Sequence, residues 1–146
     1  MSMCEDCHAM GRFGSCEDLF HVLLALDHQR LAPWGPLHGV NVACYYLQHP
    51  STVPTNTADG QWTMIEAYST GGLEAVNQIQ RRRVAQNRRG LFKPDDATRA
   101  PARMHPPRFT IEDLSVDGSF PARGYAARMN TWVSSVLSER SRSSLI

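Results

Sequence analysis

The sequence lacks long hydrophobic runs, a strong net charge and all lysines except Lys93. No apolar stretch approaches the roughly 20 residues that a membrane-spanning helix needs, so we predict no membrane segment. The formal net charge of +1 creates no global field that would recruit nucleic acid or an anionic membrane. The N-terminal residues show neither the basic region nor the apolar core of a secretory signal, and we expect a cytoplasmic protein.

Cysteine is also scarce, with four residues in the chain. Without a secretory signal, such cysteines indicate reduced thiols or metal ligands rather than a disulfide framework. The length of 146 residues suits one domain whose apolar core can form without depending on a metal alone. We therefore predict a single helical domain over residues 1–140, with a metal-binding segment at its N-terminus, and a flexible tail at 141–146.

Apolar residues recur at helical spacing in segments that proline and glycine separate, which predicts a mainly α-helical fold. Capping-box patterns at Ser15 and Thr110 open a long helix and a short helical turn. The predicted helices span 16–30, 36–48, 62–89 (weakened at Gly71-Gly72) and 121–138, and irregular loops are expected at 50–60 and 90–108. The apolar face of the first helix includes Leu19, Val22, Leu23 and Leu26. The apolar face of the last helix includes Tyr125, Met129, Trp132 and Val136. The first two helices should form an antiparallel hairpin because their connection is short. The predicted fold class is a small helical bundle built on this hairpin.

Three of the four cysteines lie near the N-terminus. Cys4 and Cys7 form a Cys-x-x-Cys pair, which can place two thiolates on one zinc ion. Cys16 stands at the start of the first helix, where the helix N-terminus favours a thiolate. The remaining cysteine, Cys44, lies on the apolar face of the second helix and is interpreted as a core residue. We predict a zinc-knuckle-like segment that holds one zinc ion.

The fourth zinc ligand follows from the register of the hairpin. If the turn is centred near Pro33, residue 16 faces about residue 50, which places His49 beside Cys16. His38 lies instead at the other end of the hairpin, beside His28. The two candidate histidines are separated by roughly 16 Å along a helix that rises 1.5 Å per residue, so they cannot share one ion. His49 is the preferred ligand, and His38 is the alternative.

Three other interpretations compete with the zinc site. The cysteines can simply be reduced thiols near a loose terminus. Cys4 to His8 matches the haem-attachment pattern Cys-x-x-Cys-His, but that chemistry follows export, for which no signal is present. A thioredoxin-like redox pair normally follows a strand, and position 4 leaves no room for one.

A combination of motifs runs along most of the chain, with residues 50–108 contributing least. Its elements are Cys4-x-x-Cys7 with Cys16, the run Leu19–Asp27, His38, Tyr45–Pro50, Phe109–Ile111 and Trp132–Val136. With these residues the chain resembles an uncharacterised bacterial family known only as a domain of unknown function, most specifically through Tyr-x-x-Gln-His-Pro. That family carries glycine after the second cysteine, as zinc knuckles often do, where this chain has His8. The resemblance implies a zinc-like N-terminus and supplies no activity.

The leading functional hypothesis is a zinc-stabilised module that interacts with a protein partner or regulates one. A metal-dependent hydrolase or transferase on a DinB-like helical bundle is an alternative, in which His21, His28 and His38 bind the metal across the hairpin. No Glu-x-x-His pair supports those histidines. The cluster Arg81 to Arg89 offers a nucleic-acid-binding alternative, although cations also stabilise an ordinary helix end.

Overall fold

The computed structural model describes residues 3–52, 57–88 and 107–144. The fold is mainly helical, as predicted, and the described ranges contain no β-strand. The elements are α1 (Cys16–His28), α2 (His38–Gln48), a 3-10 turn (Pro50–Thr52), α3 (Ala58–Arg88), α4 (Ile111–Leu114) and α5 (Tyr125–Ser144). Within these ranges no helix is both long and apolar enough to cross a membrane. The predicted irregular segment at 90–108 lies outside the described residues as far as residue 106.

Helix α1 begins where its capping box predicts. The Ser15 hydroxyl accepts the Asp18 backbone N–H at 3.0 Å, and the Asp18 carboxylate accepts the Ser15 N–H at 3.3 Å. The helix ends at His28, slightly before the predicted residue 30. Its buried residues are Cys16, Leu19, Phe20, Leu23 and Asp27. Placing Val22 in the core was wrong, because it lies to one side of this stripe and is 45% exposed.

Helices α1 and α2 form the predicted antiparallel hairpin. Contacting pairs run from the loop to the open end as Asp27 with His38, Phe20 with Tyr45, and Cys16 with His49. The residue numbers of each pair add to 65, so the register differs by one residue from the predicted pairing of 16 with 50. His38 therefore meets Asp27 rather than His28.

Helix α2 is the central element of the bundle. It begins at His38, two residues later than predicted, and α1, α3 and α5 all pack against it. Its most extensive neighbour is α3, which was not foreseen. The polar residue Asn41 of α2 is also buried, and it contacts Asp27 of α1 and Tyr125 of α5.

Helix α3 reverses direction at Gly72, which has the non-helical angles φ 67° and ψ −157° that glycine adopts without a steric penalty. A Cβ added at Gly39 would lie 3.3 Å from Met64 and 2.6 Å from Gln80. A straight helix would hold these two side chains about 24 Å apart, at 1.5 Å per residue. The Gly60 carbonyl also accepts a hydrogen bond from Arg83. The predicted single helix is therefore two antiparallel arms, 58–71 and 73–88.

Helix α5 completes the core through the predicted stripe. Tyr125, Met129, Trp132 and Val136 are all buried. The helix runs to Ser144, beyond the predicted end at 138, so residues 141–144 of the predicted tail continue the helix. The short α4 follows Thr110, whose backbone N–H donates to the Asp113 carboxylate at 2.9 Å, and it contacts both α1 and α5.

Candidate metal centre

Three cysteines and one histidine meet at the open end of the α1–α2 hairpin. One potential ligand atom from each of Cys4, Cys7, Cys16 and His49 lies within 4.8 Å of all the others. Zinc with four ligands at about 2.0–2.3 Å in a tetrahedron separates its ligand atoms by roughly 3.3–3.8 Å. The four side chains are therefore close enough to hold a metal ion after small movements.

The Cys-x-x-Cys segment folds as a tight turn. The Cys4 N–H donates to the Ala9 carbonyl at 2.9 Å, and the His8 N–H donates to the Cys4 carbonyl at 2.9 Å. The backbone N–H groups of Asp6 and Cys7 lower the pKa of the Cys4 thiol, and that of Ala9 lowers the pKa of the Cys7 thiol. His8 has φ 64°, in the left-handed region that glycine favours. This conformation explains why glycine is the usual residue after the second cysteine of such a turn.

Cys7 and Cys16 are in direct contact, with their sulfur atoms 3.4 Å apart. The hydrogen bond with Cys16 lowers the pKa of Cys7 to about 4, while the same bond and burial raise the pKa of Cys16. Burial raises the pKa of Cys4, but His49 and the backbone N–H groups outweigh it and the net direction is downward. Cys4 and Cys7 therefore favour the thiolate, the form in which cysteine binds metals, whereas Cys16 favours the thiol.

His49 presents one ring nitrogen to the three sulfurs. Its Nδ1 lies 2.7 Å from the Tyr45 carbonyl, which can only accept, so Nδ1 carries a hydrogen. Its Nε2 is buried and has no hydrogen-bond partner. A buried polar atom without a partner is costly, and a metal ion would satisfy it. A carbonyl bound to the distal nitrogen is the usual support of a histidine ligand.

The sulfur atoms of Cys4 and Cys7 act electrostatically on the His49 ring. Burial lowers the pKa of His49, but these neighbouring sulfurs raise it to about 10. The same attraction for positive charge would favour a metal cation among the four side chains, which bind metal in their deprotonated forms.

An aromatic stack fixes the His49 ring. The Tyr45 ring lies parallel to Phe20 at 3.9 Å and to His49 at 4.1 Å between centroids. Tyr45 and His49 are one helical turn apart, so they share a face of α2 that the hairpin register turns toward α1. Sequence analysis missed the stack, although the spacing of Tyr45 and His49 was the available signal.

Two polar contacts attach the N-terminal segment to the rest of the fold. The Ser51 hydroxyl donates to Asp6 at 2.5 Å, which joins the cysteine turn to the residues that follow His49. The backbone N–H and side chain of Arg12 donate to Glu112 of α4 at 3.0 and 3.1 Å. Because Arg12 and Glu112 lie far apart in sequence, no local pattern indicated this ion pair.

Gln48 anchors the end of α2 that carries His49. Its amide nitrogen donates to the Phe109 carbonyl at 2.7 Å and to Glu139 at 3.2 Å. Its amide oxygen accepts the indole N–H of Trp132 at 2.9 Å. The adjacent residues Gln48 and His49 thus point to different partners, and together they fix the end of the helix.

The histidines of the alternative metal site remain apart. His21 and His28 are exposed, and His21 lies 4.0 Å from Glu17. His38 instead binds the buried Asp27 through Nδ1 at 2.9 Å, and this hydrogen bond raises its pKa. Over residues 3–52, 57–88 and 107–144, the cluster at the N-terminus is the one group of three or more potential ligands within coordinating distance.

One arginine of the cluster makes a contact within the protein. Arg81, Arg82 and Arg83 are all exposed, and Arg83 also donates a hydrogen bond to the Gly60 carbonyl. The side chain of Arg88 and all of Arg89 lie outside the described residues. Arg83 therefore links the two arms of α3.

The chain belongs to a family of unknown function, DUF5946, whose family model matches residues 2–141. This match confirms the resemblance inferred from the motifs. No curated protein and no solved structure matches the chain. The function must therefore be argued from the chemistry of the site itself.

Proposed function

We propose that this protein binds one zinc ion through Cys4, Cys7, Cys16 and His49, and that the ion stabilises the fold. The observation that carries this proposal is the Nε2 atom of His49, which is buried and unpartnered. The three sulfur atoms and one ring nitrogen of His49 lie within 4.8 Å of one another. A cation at their centre would satisfy all four groups at once.

The donor set favours zinc over other common metals. Three thiolates and an imidazole in a tetrahedral arrangement are typical of zinc, whereas magnesium and calcium prefer oxygen ligands. Three thiolates with one divalent ion leave one negative charge. The N–H groups bonded to the sulfurs of Cys4 and Cys7, together with the N-terminus of α1 at Cys16, stabilise that charge.

A site with four protein ligands has no open position for water or substrate, which is the arrangement of structural zinc sites. The ion would link the N-terminal turn, the start of α1 and the end of α2. We therefore favour a module that interacts with or regulates a protein partner, in the cytoplasm, over a metal-dependent enzyme.

Metal analysis of the full chain, purified without added metal, tests the proposal. We expect about one zinc per chain, and loss of zinc in Cys16→Ser and His49→Ala. Cys44→Ala is the matched cysteine control, because Cys44 is fully buried outside the cluster. His21→Ala is the matched histidine control, because His21 is exposed.

Both controls should keep their zinc, and circular dichroism should show that every variant is helical. A wild-type chain without zinc would overturn the proposal. Zinc that depends on His21, His28 and His38 but ignores Cys4 would instead establish the metalloenzyme alternative.

A further inference from the structure

We propose that Cys7 and Cys16 form a redox-reactive pair, in which a peroxide oxidises the two thiolates to a disulfide and thereby releases the zinc ion. The inference rests on the proposed zinc site and adds a reaction to it. It assigns hydrogen peroxide, or an organic hydroperoxide, as the reactant.

The distance between the two sulfur atoms carries the inference. They lie 3.4 Å apart and belong to different elements, the cysteine turn and the first residue of α1. A disulfide bond is about 2.05 Å long, so the sulfurs need to approach by roughly 1.4 Å. The connecting segment contains Gly11 and Gly14, both with positive φ, and glycine allows the backbone to change its angles there without a Cβ clash, while Arg12 between them stays bonded to Glu112.

The other two cysteines are placed less favourably for this bond. The Cys4 sulfur also acts on Cys16, but the strongest interaction of Cys16 is with Cys7, whose sulfur lies 3.4 Å away. Cys44 is fully buried within α2 and belongs to no thiol cluster. Cys4 is only half-buried, so a molecule as small as hydrogen peroxide has an approach to the cluster from its side.

The reaction balances without a further component. One thiolate of the pair attacks the terminal peroxide oxygen and the O–O bond breaks. Hydroxide departs from hydrogen peroxide, or alkoxide from an organic hydroperoxide, and the cysteine becomes a sulfenic acid. The second thiolate attacks the sulfenic sulfur, forms the S–S bond and expels hydroxide. The two sulfurs lose two electrons in total and the peroxide gains them, while two protons neutralise the two expelled anions. Zinc leaves because only Cys4 and His49 remain as ligands.

The test treats the zinc-loaded full chain with hydrogen peroxide while a chromogenic chelator reports free zinc. Remaining thiols are then blocked with N-ethylmaleimide. Digestion with trypsin and Asp-N separates the three cysteines, because cleavage after Arg12 and before Asp6 and Asp18 places them in different peptides. We expect linked peptides of Cys7 and Cys16, one zinc released per disulfide, and blocked Cys4 and Cys44. Dithiothreitol with added zinc should restore the original zinc content.

Two variants sharpen the result. Cys44→Ala should behave as the wild type, and Cys4→Ser should still form the disulfide because it retains the contacting pair. A Cys4–Cys7 disulfide as the main product, or zinc release without any disulfide, would overturn the inference. Zinc content measured before oxidation separates the two proposals. A chain that contains zinc but forms no Cys7–Cys16 bond refutes only the redox reaction, whereas a chain without zinc refutes the metal site.

Discussion

Replacing Gln48 with methionine should destabilise the protein more than its single polar side chain suggests. Gln48 is completely buried and joins α2 to the Phe109 carbonyl and to the Trp132 indole. Methionine keeps the volume but removes both bonds. The Trp132 N–H, which lies in a fully buried side chain, and the Phe109 carbonyl then lose their partner. Glu139 retains Ser135 as a donor at 3.1 Å, so it adds little to the cost.

The expected loss follows from these stranded groups. A buried donor or acceptor without a partner costs about 1–3 kcal/mol, so two of them cost about 2–6 kcal/mol. Phe109 is only half-buried, and water can partly replace Gln48 there. We therefore expect about 3 kcal/mol for Gln48→Met, a large part of a typical total stability of about 5–15 kcal/mol.

A double-mutant cycle with Trp132→Phe tests the reasoning. In urea unfolding followed by circular dichroism, the double variant should lose about 1–2 kcal/mol less unfolding free energy than the two single variants together. The reason is that removing both partners leaves neither the donor nor the acceptor buried without a hydrogen bond. Gln78→Met, at an exposed helical position, is the control and should change the stability by less than about 0.5 kcal/mol. Additive losses, or a loss below about 1 kcal/mol for Gln48→Met, would refute the proposed role of Gln48.

Two further predictions concern the metal and the other end of the hairpin. Chelation of zinc should increase hydrogen exchange near residues 1–20 and 46–52 while most helix content is retained, because the buried core around Leu23, Leu37 and Trp132 is large enough not to depend on a metal alone. A global loss of the circular dichroism signal would contradict this. The hydrogen bond with Asp27 raises the pKa of His38 above 6.5, so its contribution to stability should be complete below pH 6.5 and lost as the pH rises through the raised value. NMR titration of His38 should show a lower pKa in Asp27→Asn, and an unchanged pKa would contradict the assignment.

Local sequence specifies most of the helices and the members of the candidate site. Capping patterns at Ser15 and Thr110 mark helix starts, because they depend on residues three positions apart. The Cys-x-x-Cys pair identifies the cluster for the same reason. The sequence also predicted His49 as the fourth candidate ligand, since an antiparallel hairpin with a short connection places the end of α2 near Cys16.

Tertiary packing decides the features that no local pattern contains. Gly71-Gly72 indicated a weak point in α3, but only the packing of both arms against Gly39 of α2 turns that weakness into a reversal. The partners of Arg12 and Gln48 lie far along the chain, so periodicity carries no information about them. Asp27 was overlooked because a carboxylate on an apolar stripe is unfavourable by itself; it is tolerated in the core because Asn41 and His38 donate hydrogen bonds to it.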